Sequence, residues 1–229
     1  MSLANYYPQC IVSLDCQSLP QAKKIIAALG DRIDIYKIHS LYDKHPSILP
    51  YLLSRNKRVF LDYKIHDTPH ATSLRIENLF AKSIDFLTVH FEALNSVTNL
   101  PDVLEKHPGI VAVTSLTSDM VYDPRNKLEV SLQEIAWGQI RLRMARYSRQ
   151  PKYCTCPGMF LERFKAEYPE VQTITPGVKY PTRSTPGQHA THTAGELLAM
   201  GGDYLILGSG IYDATDPVEA LDGILNLST

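Results

Sequence analysis

Three charged side chains stand close together in the run FLDYKIHD, residues 60–67. Asp62 and Lys64 are two residues apart, so on a regular β-strand their side chains leave the same face and can meet. Asp67 follows three residues later, where it can turn into the same site or cross to a neighbouring subunit. A carboxylate beside an ammonium group keeps the lysine protonated, which prepares it to donate a proton. The spacing therefore indicates acid–base chemistry.

A structural ion-pair cluster is the alternative interpretation of these residues. Lys37, at the end of another predicted strand, would extend the cluster into an array of alternating charges. Buried ion pairs are weak evidence for stability, because the cost of desolvation offsets the attraction between the charges. A functional role is therefore the better reason for the chain to keep the array.

Eight short apolar runs alternate with amphipathic stretches along the chain. Strands so apolar are typical of a parallel sheet that helices cover on both faces. Eight strand–helix repeats predict a (β/α)8 barrel, or TIM barrel, as a single domain over residues 1–229. An open doubly wound sheet is the alternative, but no Gly-x-Gly-x-x-Gly follows the first strand. The predicted strands cover residues 10–15, 33–39, 58–64, 86–91, 110–116, 153–156, 172–177 and 204–210.

Polar residues fall at the C-terminal ends of several predicted strands. In a TIM barrel these ends, and the loops after them, supply the catalytic groups. Because the ends converge on one rim, their polar residues together predict a site more strongly than any one of them alone. The residues concerned are Asp15, Lys37, Asp62, Lys64 and His90, with Ser118, Pro176 and Gly208 at or near the ends of strands five, seven and eight.

Composition excludes several classes of protein. A net charge of -1 gives no electrostatic footprint for a nucleic-acid polymer or an anionic membrane. The sequence contains no run of about 18 apolar residues, so we expect no membrane span, and the N-terminus carries no signal-peptide pattern. The four cysteines include only a Cys-x-Cys pair at 154–156, which is a poor zinc motif. We expect a cytoplasmic protein with reduced cysteines.

The run LDYKIHDTP, residues 61–69, resembles the Asp-x-Lys-x-x-Asp-(Ile/Thr)-Pro signature of the orotidine 5′-phosphate decarboxylase family. The resemblance covers nearly the whole chain, in the family's own order. It implies a metal-free and cofactor-free barrel that acts on a nucleotide as a homodimer, in pyrimidine nucleotide synthesis. Other runs that resemble family strands are IVSLD (11–15), DIYKIH (34–39), AVTSLTS (112–118), TPGVK (175–179) and GGDYLILGSGIYDATDP (201–217).

The resemblance also implies roles for individual residues. Lys64 would protonate C6 of the pyrimidine as carbon dioxide leaves, and Asp62 would lie beside the departing carboxylate. Asp67 would reach across the dimer into the partner's site and touch ribose. Asp15 and Lys37 would bind ribose hydroxyls. The other substrate-binding residues that it implies are Thr68, Ser118 (on the base), Pro176, Lys179, Gln188 (in the position of a loop glutamine), Gly208 and Ser209.

The phosphate-binding part departs from the family pattern. Ser209 stands where the family has an arginine that grips the substrate phosphate. Lys179 replaces a second arginine by a point charge without the bidentate fork. Arg183, or backbone N–H groups around Gly208 and Gly210, can compensate for the missing arginine.

Three hypotheses follow from the sequence. The first is decarboxylation of orotidine 5′-phosphate to uridine 5′-monophosphate. The second, motivated by Ser209, is a diverged family member that decarboxylates a different, possibly non-phosphorylated, nucleoside acid or a sugar-phosphate acid. The third is a non-catalytic nucleotide-binding or interaction protein that has kept the fold. The retention of Asp62, Lys64, Asp67 and Lys37 argues against the third, because a binding module has no use for a desolvated charge array.

Overall fold

A computed structural model of the chain describes residues 7–114, 129–147, 149–180 and 192–226. Its eight strands are all parallel, lie in sequence order and close into a barrel. The predicted (β/α)8 TIM barrel is therefore confirmed, and the open doubly wound sheet is wrong. The strands are β1 (Cys10–Ser13), β2 (Ile35–Ile38), β3 (Arg58–Ile65), β4 (Phe86–His90), β5 (Ile110–Val113), β6 (Tyr153–Thr155), β7 (Gln172–Thr175) and β8 (Tyr204–Leu207).

Helices cover the outside of the barrel. Helix α1 begins after Ser18, whose hydroxyl accepts the N–H of Gln21, and it ends at Gly30, which has a φ of +52°. The helices are α1 (Leu19–Leu29), α2 (Ser40–Lys44), α3 (Ile48–Leu53), α4 (Pro69–Phe80), α5 (Phe91–Asn95), α6 (Leu100–Lys106), α7 (Glu129–Ala145), α8 (Leu161–Glu167), α9 (Ala194–Ala199), α10 (Ser209–Tyr212) and α11 (Pro217–Asn226).

The barrel interior is divided into an apolar floor and a polar layer. The floor is a buried cluster with one residue from each of the first seven strands: Ile11, Ile35, Phe60, Phe86, Val111, Tyr153 and Ile174. Side chains alternate along a strand, so the residue two positions further on also points inward, one layer nearer the C-terminal ends. On the first four strands these residues are Ser13, Lys37, Asp62 and Thr88, all buried. The alternation thus places polar groups on a floor that excludes water.

Several strands end earlier than the sequence predicts. β8 stops at Leu207, whose last partner on β1 is Val12, and α10 begins at Ser209. β7 stops at Thr175, so Pro176 follows the strand, as expected for a residue that cannot donate to the sheet ladder. Strand ends depend on how long the neighbouring strand continues, which the residue pattern does not contain.

The four cysteines lie in the interior of the protein. All four cysteines are free and buried, and burial raises the pKa of Cys16 to about 11, so its thiolate form is disfavoured. Within the described ranges, no cluster of histidine, cysteine or acidic side chains is arranged to hold a metal ion. The same ranges contain no helix of sufficient length and hydrophobicity to cross a membrane.

Candidate active site

A buried carboxylate, that of Asp62, lies at the centre of the site. Its Oδ2 atom is 2.8 Å from Nζ of Lys64 and 3.1 Å from Nζ of Lys37. Lys37 also lies 3.4 Å from Oδ2 of Asp15, just after β1. Negative and positive charges therefore alternate from Asp15 through Lys37 and Asp62 to Lys64, across β1, β2 and β3. We call these four residues the charge array.

The second oxygen of Asp62 is held by a neutral side chain. The hydroxyl of Thr88 donates to Oδ1 of Asp62 at 2.9 Å and accepts the backbone N–H of Lys64 at 2.8 Å. Thr88 lies on β4 and is completely buried. Thr88 was not among the residues predicted from the sequence, although a signal was available: it is two residues after Phe86 and shares its inward face.

Strand β3 is not regular where the array forms. Its pairing with β4 shifts register between Leu61 and Ile65, and Lys64 has a φ of +45°. A non-glycine residue in this left-handed region costs on the order of 1 kcal/mol, and such strain is typical of functional sites. The predicted contact between Asp62 and Lys64 is present, although the strand is not regular at this point as the prediction assumed.

The array fixes the ionisation of its buried members. Burial alone would raise the pKa of Asp62, but the charges and hydrogen bonds of Lys37 and Lys64 outweigh it and lower the pKa to about 2. Burial would likewise lower the pKa of Lys37, but Asp62 and Asp15 outweigh it and raise the pKa. Both groups are therefore charged at neutral pH.

Lys64 is the cation of the array that a bound molecule can reach from the barrel mouth. Its side chain is 38% exposed, whereas that of Lys37 is 9% exposed. Asp62 is as buried as Lys37. The arrangement presents one accessible ammonium group, tethered to a buried carboxylate, at the C-terminal rim. It can deliver a proton to a ligand atom placed above Asp62.

Two histidines lie at the same rim. The rings of His66 and His90 stack with their centroids 5.0 Å apart. Burial, together with the charge of His66, lowers the pKa of His90 below its ordinary value. His90 is therefore neutral at neutral pH and adds no charge beside Lys64.

Asp67 does not join the array of its own chain. It is exposed at the start of α4, and its Oδ1 accepts the backbone N–H of Thr68 at 2.8 Å. Thr68 is exposed as well. The carboxylate of Asp67 is thus exposed and bonded to the adjacent backbone, not to the charge array.

Those predicted phosphate-binding residues that the structure describes lie on the β7–β8 side of the mouth. Pro176 follows β7 and is half-buried, and Lys179 is exposed. Ser209 is the first residue of α10. The N–H of Gly208 donates to the hydroxyl of Tyr180 at 2.7 Å, a contact that the sequence analysis did not anticipate. Ser118, Gln188 and Arg183 lie outside the described residues.

Comparison with known proteins points to one family. The sequence model of the orotidine 5′-phosphate decarboxylase / HUMPS family matches residues 8–224. The chain is 29% identical over 223 residues to the orotidine 5′-phosphate decarboxylase of Rhodopseudomonas palustris, covering 94% of this chain and 91% of that protein. It is 27% identical over 228 residues to the enzyme of the same name from Lawsonia intracellularis, covering 94% and 97%.

A solved structure agrees in fold. The crystal structure of an uncharacterized conserved protein from Geobacillus kaustophilus superposes with a TM-score of 0.71 at 20% identity, covering 96% of this chain and 100% of that chain. At this identity the likeness supports the barrel alone. The family match extends over almost the whole chain and includes the segment that carries the charge array. The chain is a carboxy-lyase and belongs to the orotidine 5′-phosphate decarboxylase / HUMPS family.

Proposed function

We propose that this enzyme decarboxylates orotidine 5′-phosphate to uridine 5′-monophosphate, with Lys64 as the proton donor. The observation that carries the proposal is the charge array, in which an accessible Lys64 is bound to the buried Asp62. The names of the curated relatives support the same reaction.

Asp62 acts on the substrate carboxylate. Because its pKa is about 2, Asp62 is negative at neutral pH and repels a carboxylate held beside it. The repulsion disappears when the carboxylate leaves as neutral carbon dioxide. This repulsion accelerates the reaction because it raises the free energy of the bound substrate more than that of the transition state.

Lys64 acts on the carbon that loses the carboxylate. When the bond between C6 and the carboxylate breaks, its electron pair stays on C6. The ammonium group of Lys64 stabilises this developing negative charge and then transfers its proton to C6. The half-exposed side chain can regain a proton from solvent before the next turnover. Asp62 remains ionised throughout.

The remaining contacts place the substrate over the array. Asp15 and Lys37 bind ribose hydroxyls, for which the exposed side of Asp15 supplies an acceptor. Asp67 enters the site of a second subunit, so the active form is a homodimer with shared sites. Its exposure and its hydrogen bond to the adjacent backbone N–H, outside the array of its own chain, support this assignment.

The other predicted contacts complete the binding site. Ser118 bonds the base and Thr68 lies beside the ribose. Pro176 lines the mouth on the β7 side. The phosphate end is assigned to Lys179, Gln188, Gly208 and Ser209.

Release of carbon dioxide tests the proposal. Orotidine 5′-phosphate and orotidine, each labelled in the carboxylate carbon, are incubated with the purified enzyme, and the released label is counted. We expect release from both, and faster release from the phosphorylated compound, because remote phosphate contacts contribute to transition-state binding. If neither compound releases carbon dioxide, the proposal is wrong.

Ser209 favours a second candidate, in which the enzyme acts on a non-phosphorylated nucleoside acid. Under the first proposal, Ser209→Arg should raise kcat/KM on orotidine 5′-phosphate about 10- to 100-fold, because a charge-assisted hydrogen bond contributes about 1.5–3 kcal/mol. The rate on orotidine should stay unchanged. No gain on the phosphorylated compound, together with a faster reaction on the nucleoside acid, would instead favour the second candidate.

A further inference from the structure

The hydroxyl of Tyr180 interacts with backbone N–H groups at the point where β8 ends. The hydroxyl of Tyr180 accepts the N–H of Gly208 at 2.7 Å. The N–H of Gly210 also interacts with this hydroxyl, and the interaction opposes the rise in the pKa of Tyr180. Tyr180 is only 8% exposed, so its ring is packed into the protein and its contact with these donors is not a surface accident.

The turn after β8 is built around this ring. A Cβ atom added to Gly210 would lie 2.5 Å from two carbons of the Tyr180 ring, closer than real Cβ contacts come. Any other residue at this position would push the ring away. The absence of a side chain at Gly210 therefore leaves room for the Tyr180 ring. The Tyr180 hydroxyl in turn accepts the N–H of Gly208.

Under the proposed function, on which this inference rests, the same backbone N–H groups face the substrate phosphate. We propose that Tyr180 is a specificity-determining residue, whose hydroxyl competes with the phosphate for the N–H groups of Gly208 and Gly210. Tyr180 thereby lowers the preference of the enzyme for a phosphorylated substrate over the corresponding nucleoside. Ser209, between these two glycines, supplies no positive charge for a phosphate and therefore also lowers the preference for a phosphorylated substrate.

The phosphate can displace the Tyr180 hydroxyl from these N–H groups, but the displacement costs free energy. A charged phosphate oxygen accepts roughly twice as strongly as a neutral phenol, but it must first displace the ring from its seat. The phenol is itself neutral, because burial, opposed by the N–H groups, raises the pKa of Tyr180 to about 12. A cavity of about 420 Å³, bordered by Tyr180, Gly210, residues 213–216 and α11, offers the displaced ring room.

The test compares binding of uridine 5′-monophosphate and uridine by titration calorimetry. Tyr180→Phe keeps the ring but removes the competing oxygen. We expect its dissociation constant for the nucleotide to fall about 3- to 10-fold, as expected for one neutral hydrogen bond, while that for uridine stays the same. Tyr180→Leu removes the whole aromatic ring together with the hydroxyl and should tighten nucleotide binding at least as much.

A matched control is Tyr204→Phe, which removes a hydroxyl from the opposite end of β8. It should change neither dissociation constant. Circular dichroism establishes that each variant is folded, and a Leu variant that folds decides the matter if the Phe variant does not.

The outcomes separate this inference from the proposed function. If the unaltered enzyme binds both ligands but neither Tyr180 variant tightens the nucleotide, the inference alone is overturned. Weaker nucleotide binding by Tyr180→Phe would also overturn it, since the hydroxyl would then donate to the phosphate. If the unaltered enzyme binds neither ligand, the proposed function fails and the inference fails with it.

Discussion

The two oxygens of Asp62 have different tasks. Oδ2 lies between the ammonium groups of Lys64 and Lys37, and Oδ1 accepts the hydroxyl of Thr88. Because both oxygens are held, the carboxylate cannot rotate away from a negative group placed beside it. Repulsion of a substrate carboxylate requires this fixed position, since a mobile carboxylate would simply move aside.

Thr88 is therefore a positioning residue, and Thr88→Val tests it. Valine has the same shape but leaves Oδ1 of Asp62 and the N–H of Lys64 without their partner. We expect kcat on orotidine 5′-phosphate to fall about 10-fold or more, with KM little changed, since a lost buried hydrogen bond costs about 1–3 kcal/mol.

Thr88→Ser supplies the control, because it restores the hydroxyl and loses only a methyl group. Its kcat should return most of the way to that of the unaltered enzyme. If the Ser and Val variants are equally active, Thr88 contributes packing only and the positioning role is wrong.

At the residue scale, charges were predictable from the sequence and neutral partners were not. Asp62, Lys64 and Lys37 attract attention because charged residues rarely occupy apolar strands. Thr88 is a β-branched residue in such a strand, where it is unremarkable as a strand former. Tyr180 escaped notice because its partner is a backbone N–H, which has no signature in the sequence.

At the scale of elements, strand order was predictable and strand ends were not. Apolar runs at regular intervals predict which segments pair, and all eight strands lie where the runs predict them. The ends depend on tertiary contacts. β8 leaves the sheet beyond the pair Val12–Leu207, and β3 changes register where Lys64 bonds to Thr88. These two departures from regularity place Lys64 and Gly208 at the rim.

Two glycine substitutions test how the elements pack. Gly109, just before β5, approaches the backbone of Asp85 so closely that an added Cβ would lie 1.7 Å from its carbonyl oxygen. Gly138 lies in α7 with no atom within 4 Å of such a Cβ. Gly109→Ala should destabilise the protein by about 3 kcal/mol, whereas Gly138→Ala should stabilise it by about 0.5–1 kcal/mol.

Thermal unfolding followed by circular dichroism measures both effects. The first variant should unfold at a lower temperature than the unaltered protein and the second at a slightly higher one. An unchanged unfolding temperature for Gly109→Ala would contradict the close approach of Gly109 to the backbone of Asp85, just before β4.

At the scale of the molecule, barrel closure brings two half-sites to one mouth. The charge array lies on β1 to β3 and is supported by β4, whereas Tyr180 and Gly208 lie at the ends of β7 and β8. Pairing of β8 with β1 makes these regions neighbours. The array rests on the apolar floor, and under the proposed function the β7–β8 side binds the phosphate end of the substrate. Asp67, exposed at the same rim, is available to a second subunit.

The proposed sharing of sites predicts complementation between inactive chains. Lys64→Ala and Asp67→Ala chains, mixed in equal amounts and allowed to exchange, form heterodimers with one intact site. Activity should rise to about one quarter of that of the unaltered enzyme, because half of the dimers carry one active site of two.

Lys64→Ala mixed with Asp62→Asn is the matched control. Both residues come from the same chain in every site, so no heterodimer contains an intact site and no activity should return. A fully active monomer in sedimentation would contradict the sharing of sites.

Proton transfer from Lys64 to C6 is the central claim, and one comparison tests it most directly. Orotidine 5′-phosphate is supplied in D2O to the unaltered enzyme, to Lys64→Ala and to Lys82→Ala, which removes an exposed lysine. Carbon dioxide release and deuterium at C6 of the product are measured, together with binding of uridine 5′-monophosphate. We predict that only Lys64→Ala loses release and C6 deuteration while it still binds the nucleotide. Near-normal release by Lys64→Ala would contradict the account.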